Sequence, residues 1–377
     1  MERKSIADIN QYCGSSINPS DTPDIIYELY SVPSYENQVP EIIKGKEIGS
    51  SKITVEDGDV LICKINPRIN RVWVVKRHTP YQLLASSEWI VIRNHELNSN
   101  YLKWYFSSPL FRELMTSQVA GIGGSLTRAQ PKQVAKYPVP IVKVGEQRKI
   151  AAVLDKVSDL IVKRRQQLDK LDEMVKARFV EMFGDVPEEE KVTMAEICKI
   201  ITDGTHQPPQ FTNTGIPFLF VSNIITNEIR YDAEKFISEE TYAELIKRTP
   251  IEIGDILLST VGSYGHPAIV KADRRFCFQR HIAYLKPKSN MVKSEYLRGA
   301  ILSENVQRQI DERVKGIAQK TLNLSEIRKI KLPLPPMDLQ EQFAAFVEQT
   351  EKTKTAVSKS LEKLETLKKA LMQEYFG

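Results

Sequence analysis

The stretches "QRKIAAVLDKV" at 147–157 and "QEQFAAFVEQT" at 340–350 open two segments that run without a gap to "MFG" at 182–184 and "YFG" at 375–377. The offset between them is 193 (377 − 184) throughout. Self-similarity at a fixed spacing is read before secondary structure, because it decides what the repeating unit is. Upstream, "KYPVPIV" from Lys136 matches "KIKLPLP" from Lys329, and Gly123 falls on Gly316. Farther upstream the offset drifts, as loops of unequal length require: "YLKWYF" at Tyr101 answers "YLRGAI" at Tyr296, "VEDGDVLI" at Val55 answers "IEIGDILL" at Ile251, and "SIADI" at Ser5 answers "TMAEI" at Thr193. The chain is read as a tandem duplication of a module followed by a helix.

The tail segments have the pattern of long helices. With Leu154 as heptad position a, the a series continues through Ile161, Leu168, Val175 and Met182, and the d series includes Ile150, Val157 and Leu171. In the second copy Val347, Lys354, Leu361 and Lys368 fall at a, and Phe343, Val357, Leu364 and Leu371 at d. Neither seam is uniformly apolar, which suits two different helices packed on each other better than self-association. No proline interrupts Glu146 to Phe183 or Asp338 to Phe376, while "YPVPIV" and "LPLPPMD" stop each preceding module. Helices of about 38 residues are roughly 57 Å long. A pseudo-twofold pairing of the halves makes them an antiparallel coiled coil.

The chain has 377 residues, enough for two domains. Its 41% hydrophobic and 27% charged residues are the balance of a globular protein, not a disordered or membrane one. No run nears the roughly 18 apolar residues of a membrane span, and "MERKSIADIN" lacks the apolar core of a secretory signal. The expected location is therefore the cytoplasm. Cys13, Cys63, Cys198 and Cys277 lie far apart with no CxxC and no nearby histidine, so they are read as buried thiols and not as disulfides or a zinc site. The net charge of +5 permits a polyanionic partner without demanding one.

The modules, 1–142 and 186–336, give an α+β reading: "DVLICKI", "RVWVV" and "EWIVI" are strands in the first, "DILLSTV", "HPAIV" and "HIAYL" in the second. The helical segments are 143–185 and 337–377. Turns fall at matching places, "NPRIN" and "GSYGH". Around the first stand Lys64, Asn66, Arg68, Asn70 and Arg71; around the second, Ser263, Tyr264, His266, Arg274, Arg275, Gln279 and Arg280. Arg and Lys suit guanine edges and phosphates, and Asn and Gln suit adenine edges. Polar stretches near each module's end, "AGIGGSLTRAQ" and "KGIAQKTLN", add Arg128 and Lys320 as candidate phosphate contacts.

"TDGTHQPP" (202–209), "GIPFLFVSNI" (215–224) and "GDILLSTVGSYG" (254–265), with "YSVPSYENQVP" (30–40) and "GDVLICKINPRINRVW" (58–73), resemble the specificity subunits of Type I restriction-modification systems over essentially the whole chain. The resemblance implies two target-recognition domains in tandem pseudo-twofold repeat, each reading one half of a split asymmetric site in double-stranded DNA. It implies that the helices fix the spacer and dock two modification subunits. S-adenosylmethionine then belongs to those subunits, ATP and Mg to two restriction subunits where these are present, and no cofactor or metal to this chain. Because the first module lacks a counterpart of "DGTH", the half-sites should differ.

No [N/D]PP[Y/F] methyltransferase motif, S-adenosylmethionine loop or GxxxxGK[ST] occurs, so the chain is read as non-catalytic. His206 has no accompanying nucleophile or metal set and is read as a turn-stabilising or DNA-contacting residue. The rival readings are a coiled-coil scaffold that never touches DNA and a stand-alone DNA enzyme with an unrecognised site.

Overall fold

The computed structural model describes residues 2–117, 119–120, 127–184, 187, 190–316 and 320–377. The glycine-rich stretch 121–126, with Gly123, the position Val186 and residues 317–319 lie outside the described residues. Contacts divide the chain into two compact units. Unit 1 comprises Met1–Arg164 with Ser360–Gly377, and unit 2 comprises Arg165–Lys359.

In unit 1 a five-stranded sheet runs in the order Ser16–Ile17, Lys52–Thr54, Gln82–Ser86, Ile26–Tyr30, Glu41–Lys44. Beside it in sequence, a three-stranded sheet has Val60–Cys63 at its centre between Val72–Val74 and Trp89–Ile92, both pairings antiparallel. Central strands paired on both edges read as continuous apolar runs, and Val60, Leu61, Ile62 and Cys63 are all buried. In unit 2 the same order recurs with Ile256–Ser259 between Pro267–Ile269 and Ile282–Pro287, and Cys198–Asp203 adds a fourth strand. A three-stranded sheet of Lys235–Ile237, Ile216–Leu219 and Cys277–Phe278 completes the unit's larger strands. The turn before each central strand is duplicated too. Gly58 (φ 90°) and Gly254 (φ 93°) sit in the left-handed region, and Asp59 and Asp255 accept the N–H of Glu56 and Glu252 at 2.9 and 2.8 Å.

Four helices organise the remainder: α1 (Ser99–Phe106), α2 (Val144–Phe183), α3 (Ser294–Leu302) and α4 (Met337–Phe376). The helices α2 and α4 begin one or two residues before the first positions read from sequence and end on Phe183 and Phe376. Each is anchored at its start by a fully buried glutamine. Gln147 accepts Asn98 N–H at 2.8 Å and donates to Val142 O at 2.8 Å. Gln340 accepts Lys293 N–H at 2.9 Å and donates to Pro335 O at 2.8 Å. A buried amide with both ends satisfied fixes orientation as well as contributing stability.

Within unit 1 the start of α2 lies against the end of α4, and within unit 2 the end of α2 lies against the start of α4. Lys368 Nζ is 3.3 Å from Ser158 Oγ in unit 1. In unit 2 Lys354 Nζ is 2.8 Å from Asp172 and the Phe343 ring is 5.4 Å from that of Phe179, so within this unit residue numbers rise on one helix as they fall on the other. The two lysines at heptad position a are thus satisfied by polar groups of the facing helix. Of the seam residues read from sequence, Leu154, Val157, Ile161, Val347 and Val357 are buried, and Leu168, Leu171, Val175, Leu361, Leu364 and Leu371 are half-buried.

One reading requires correction. Cys63, Cys198 and Cys277 are buried, but Cys13 is exposed, because it lies in the irregular segment between the short helix Ile6–Ile9 and the edge strand Ser16–Ile17. Among the described residues no helix is long and apolar enough to cross a membrane.

Candidate nucleic-acid interface

Each module ties its turn to a later segment by the same pair of backbone hydrogen bonds. In unit 1 Asn66 N–H donates to Thr127 O at 2.9 Å and Ala129 N–H to Lys64 O at 2.8 Å. In unit 2 Gly262 N–H donates to Lys320 O at 3.2 Å and Leu322 N–H to Thr260 O at 2.8 Å. The residue at the bend is left-handed in both, Asn66 at φ 48° and Gly262 at φ 72°, a conformation that Asn and Gly adopt most readily. The structure therefore brings Lys64 and Asn66 beside Arg128, and Ser263 beside Lys320, as neither turn nor tail alone would indicate.

In unit 1 the turn Pro67–Ile69 is a single 3-10 turn flanked by left-handed Asn66 and Asn70. Arg68 is exposed there and has no ion-pair partner among the described residues, while Lys64 and Asn70 are half-buried. The other two arginines are countered. Arg71 Nε lies 3.1 Å from Glu36 and its side chain is only 16% exposed; Arg128 meets Glu88 at 3.2 Å. Asn66 Oδ1 is buried without a partner among the described residues.

In unit 2 several backbone segments lie side by side. Arg280 N–H donates to Thr205 O at 3.1 Å, Thr260 N–H donates to His281 O at 2.9 Å, and Thr205 bridges Gln279. His206, Gln279, Arg280, Ser263 and Lys320 thus belong to neighbouring segments. His206 Nε2 is 2.9 Å from Asp203 Oδ2, whose other oxygen is taken by Arg248. His206 therefore has a turn-stabilising contact. Tyr264 is turned to Asp311, donating at 2.9 Å. Arg274 and Arg275 are engaged elsewhere: Arg274 lies over the Tyr231 ring at 5.0 Å, and Arg275 makes a bidentate pair with Glu239 at 2.6 and 2.9 Å. The carboxylate partners Glu36, Glu88 and Glu239 carry no local sequence signal, because each lies 35 to 40 residues from its arginine.

His266 Nδ1 lies 3.2 Å from Asn227 Oδ1 and its Nε2 lies 3.2 Å from Ser263 Oγ. The first contact makes Nδ1 the donor and leaves Nε2 to accept from the serine hydroxyl, the neutral ring holding the turn. Burial pushes His266 below the ordinary imidazole value of 6.5, and burial with the adjacent Arg280 does the same to His281. Well above 6.5 both rings are neutral folded or unfolded and contribute no pH dependence. As pH falls through 6.5 toward the depressed folded values, the unfolded chain takes up protons first and stability is lost. The thermal midpoint of unit 2 is expected to drop between pH 7.5 and 5.5, and to drop less in His266→Gln.

Each unit presents a backbone-braced turn beside basic side chains. Residues 188–368 match the family model of the Type I restriction modification DNA specificity domain. The chain is 20% identical over 347 residues to the MjaVIII specificity subunit of Methanocaldococcus jannaschii, covering 86% of this chain and 80% of that one. It is 26% identical over 177 residues to the EcoBI specificity subunit of Escherichia coli, 46% of this chain and 37% of that one. Its fold is similar over 100% of its length, with a TM-score of 0.60 and 17% identity, to 97% of a chain solved in a study of complex assembly and conformational transition of the type I R-M system. It is also similar, with a TM-score of 0.56 and 12% identity, to 96% of the S subunit of a type I system from M. genitalium. Residues 188–368 thus match the Type I restriction modification DNA specificity domain, and over most of its length the chain is similar to type I specificity subunits.

Proposed function

We propose that this chain is the DNA-reading subunit of a type I restriction-modification complex, each module binding one half of a split, asymmetric site in double-stranded DNA. The observation that carries the reading is the duplicated brace around unlike letters. The bonds from residues 64 and 66 to 127–129 recur from residues 260 and 262 to 320–322, while Asn66, Pro67 and Arg68 in one turn stand against Gly262, Ser263 and Tyr264 in the other. A shared frame with different side chains is what two unlike half-sites need, since phosphate contacts position a reader and base contacts specify.

In this reading α2 and α4, each 40 residues long, form an antiparallel coiled coil that sets the spacer, and they help dock two modification subunits. Methyl transfer with S-adenosylmethionine belongs to those subunits, and ATP- and Mg-dependent work to two restriction subunits where they are present. The chain itself is non-catalytic, binds no cofactor or metal, and acts in the cytoplasm.

Arg68, without an ion-pair partner among the described residues, and ion-paired Arg275 separate in this account. Replacing Arg68 by alanine is expected to weaken binding by about 1–3 kcal/mol, either relaxing one base position or lowering affinity uniformly with a shallower salt slope. Arg275→Ala removes a guanidinium already neutralised by Glu239, and should leave base preference unchanged. Competition binding of the assembled complex to single-base variants of the site, at two salt concentrations, measures both. Equal losses in the two variants would contradict the assignment of the braced turn as the contact surface.

A further inference from the structure

The two seats that receive the helix ends distribute bulk in opposite ways. Aligned on Tyr101 and Tyr296, α1 continues Leu102, Lys103, Trp104, Tyr105, whereas α3 continues Leu297, Arg298, Gly299, Ala300. The offset of 193 places Ile150 on Phe343, Met372 on Phe179 and Phe376 on Phe183. Where the two seats differ, the wide residue is therefore on the module in unit 1, Trp104, and on the long helices in unit 2, Phe179 and Phe343, while Phe376 and Phe183 are alike. All of them are buried.

In unit 1 the Trp104 indole fills the seat. It shares a buried cluster with Ile150, Met372 and Phe376, donates from Nε1 to Asp155 at 2.9 Å, and carries Lys368 over its ring at 4.9 Å. In unit 2 phenyl rings take up the room. Phe179 and Phe343 meet edge to face at 5.4 Å, and a Cβ on Gly299 would stand 2.9 Å from both rings. Even alanine forces a shift there, since real Cβ atoms do not approach so closely. The carboxylate at the position of Asp155 is Glu348, which is exposed and paired with Lys352 at 2.7 Å.

We propose that the seats form a pairing code: the Trp104 seat accepts the helix end carrying Met372 and refuses one carrying Phe179, while the Gly299 seat requires Phe179 and Phe343. A duplicated chain has a competing arrangement in which two copies exchange helices and pair like with like. That exchange sets Phe179 against Trp104 in one seat and Met372 against Gly299 in the other. The first is overpacked and the second holds a void, and both are costly. The code does not depend on DNA binding.

Full-length variants test it by far-UV circular dichroism melting. Met372→Phe and Gly299→Trp are each expected to lower the midpoint of their unit by about 4 °C or more. The composites Trp104→Gly/Ile150→Phe/Met372→Phe and Gly299→Trp/Phe179→Met/Phe343→Ile are expected to regain at least half of the corresponding loss. Composites no better than the sum of their parts, or a tolerated Met372→Phe, would overturn the proposal. Met372→Phe serves where Gly299→Trp fails to fold. For the pairing role itself, chains refolded from denaturant at high concentration are compared by sedimentation. The second composite, whose two seats are alike, should give a larger dimer fraction than the natural chain, and equal fractions would overturn that role.

Discussion

Replacing Phe183 with alanine is expected to cost about 3–5 kcal/mol and to unfold unit 2, although Phe183 is the last residue of α2. The ring is 5% exposed and packs against Phe179 at 5.1 Å, Tyr296 at 4.9 Å and Phe343 at 5.7 Å. Tyr296 in turn donates to Pro333 O at 2.6 Å, so the ring supports a buried hydroxyl held by the strand that precedes α4. Removal leaves a cavity among side chains fixed by other contacts, which cannot collapse to fill it. Phe376, the last residue of α4, is the twin, 4% exposed and 5.5 Å from Tyr101 and 5.8 Å from Tyr105, and Phe376→Ala is expected to cost unit 1 a similar amount. Helix ends ordinarily fray; these two are core. A loss of this size is a large part of the 5–15 kcal/mol that usually holds a domain together.

The three tryptophans allow the two losses to be told apart. Trp73, Trp89 and Trp104 all lie in unit 1. In urea titrations Phe376→Ala should move the fluorescence transition, and Phe183→Ala should move the circular dichroism transition with little change in fluorescence. Fluorescence transitions that move equally in both variants would contradict the seating of each helix end in a different unit.

Deleting Arg165–Leu168 from the middle of α2 is the second large expected effect. Four residues shorten a helix by about 6 Å and, at 3.6 residues per turn, rotate the remainder of the helix by about 40°. The deletion also breaks heptad register beside α4, where Lys354 meets Asp172. If the helices set the spacer, the complex should accept a changed spacer or fail to assemble, while each half-site preference stays intact. The methylated motif of cells carrying the deletion measures this, and an unchanged spacer in an assembled complex would sink the ruler.

The long helices were legible because proline punctuation and heptad spacing are local signals: Pro138, Pro140, Pro335 and Pro336 bracket stretches with none inside. The central strands were legible for the same reason, since "DVLI" and "DILL" are short apolar runs after a Gly-Asp turn. The repeated "MFG" and "YFG" announced equivalence without saying what the phenylalanines touch. Their partners Tyr296 and Tyr101 lie in modules at remote sequence positions. The buried Gln147 and Gln340 looked like ordinary polar residues at helix starts, and only the carbonyls and N–H groups around them explain their burial. Arg71, Arg128 and Arg275 read as free cations because a sequence displays charge but not the distant carboxylate that neutralises it. Arg68, on a turn bounded by two left-handed asparagines, is exposed, which "NPRIN" alone did not distinguish from Arg71.

Whether this chain tells a methylating complex where to act is decided by single-molecule methylation sequencing of DNA. Cells expressing the chain with its modification subunit are compared with cells lacking the chain. The expected result is a split motif with two unlike halves and a fixed spacer that disappears with the chain. An unchanged methylation pattern in cells where the complex is shown to assemble would contradict the DNA-reading role.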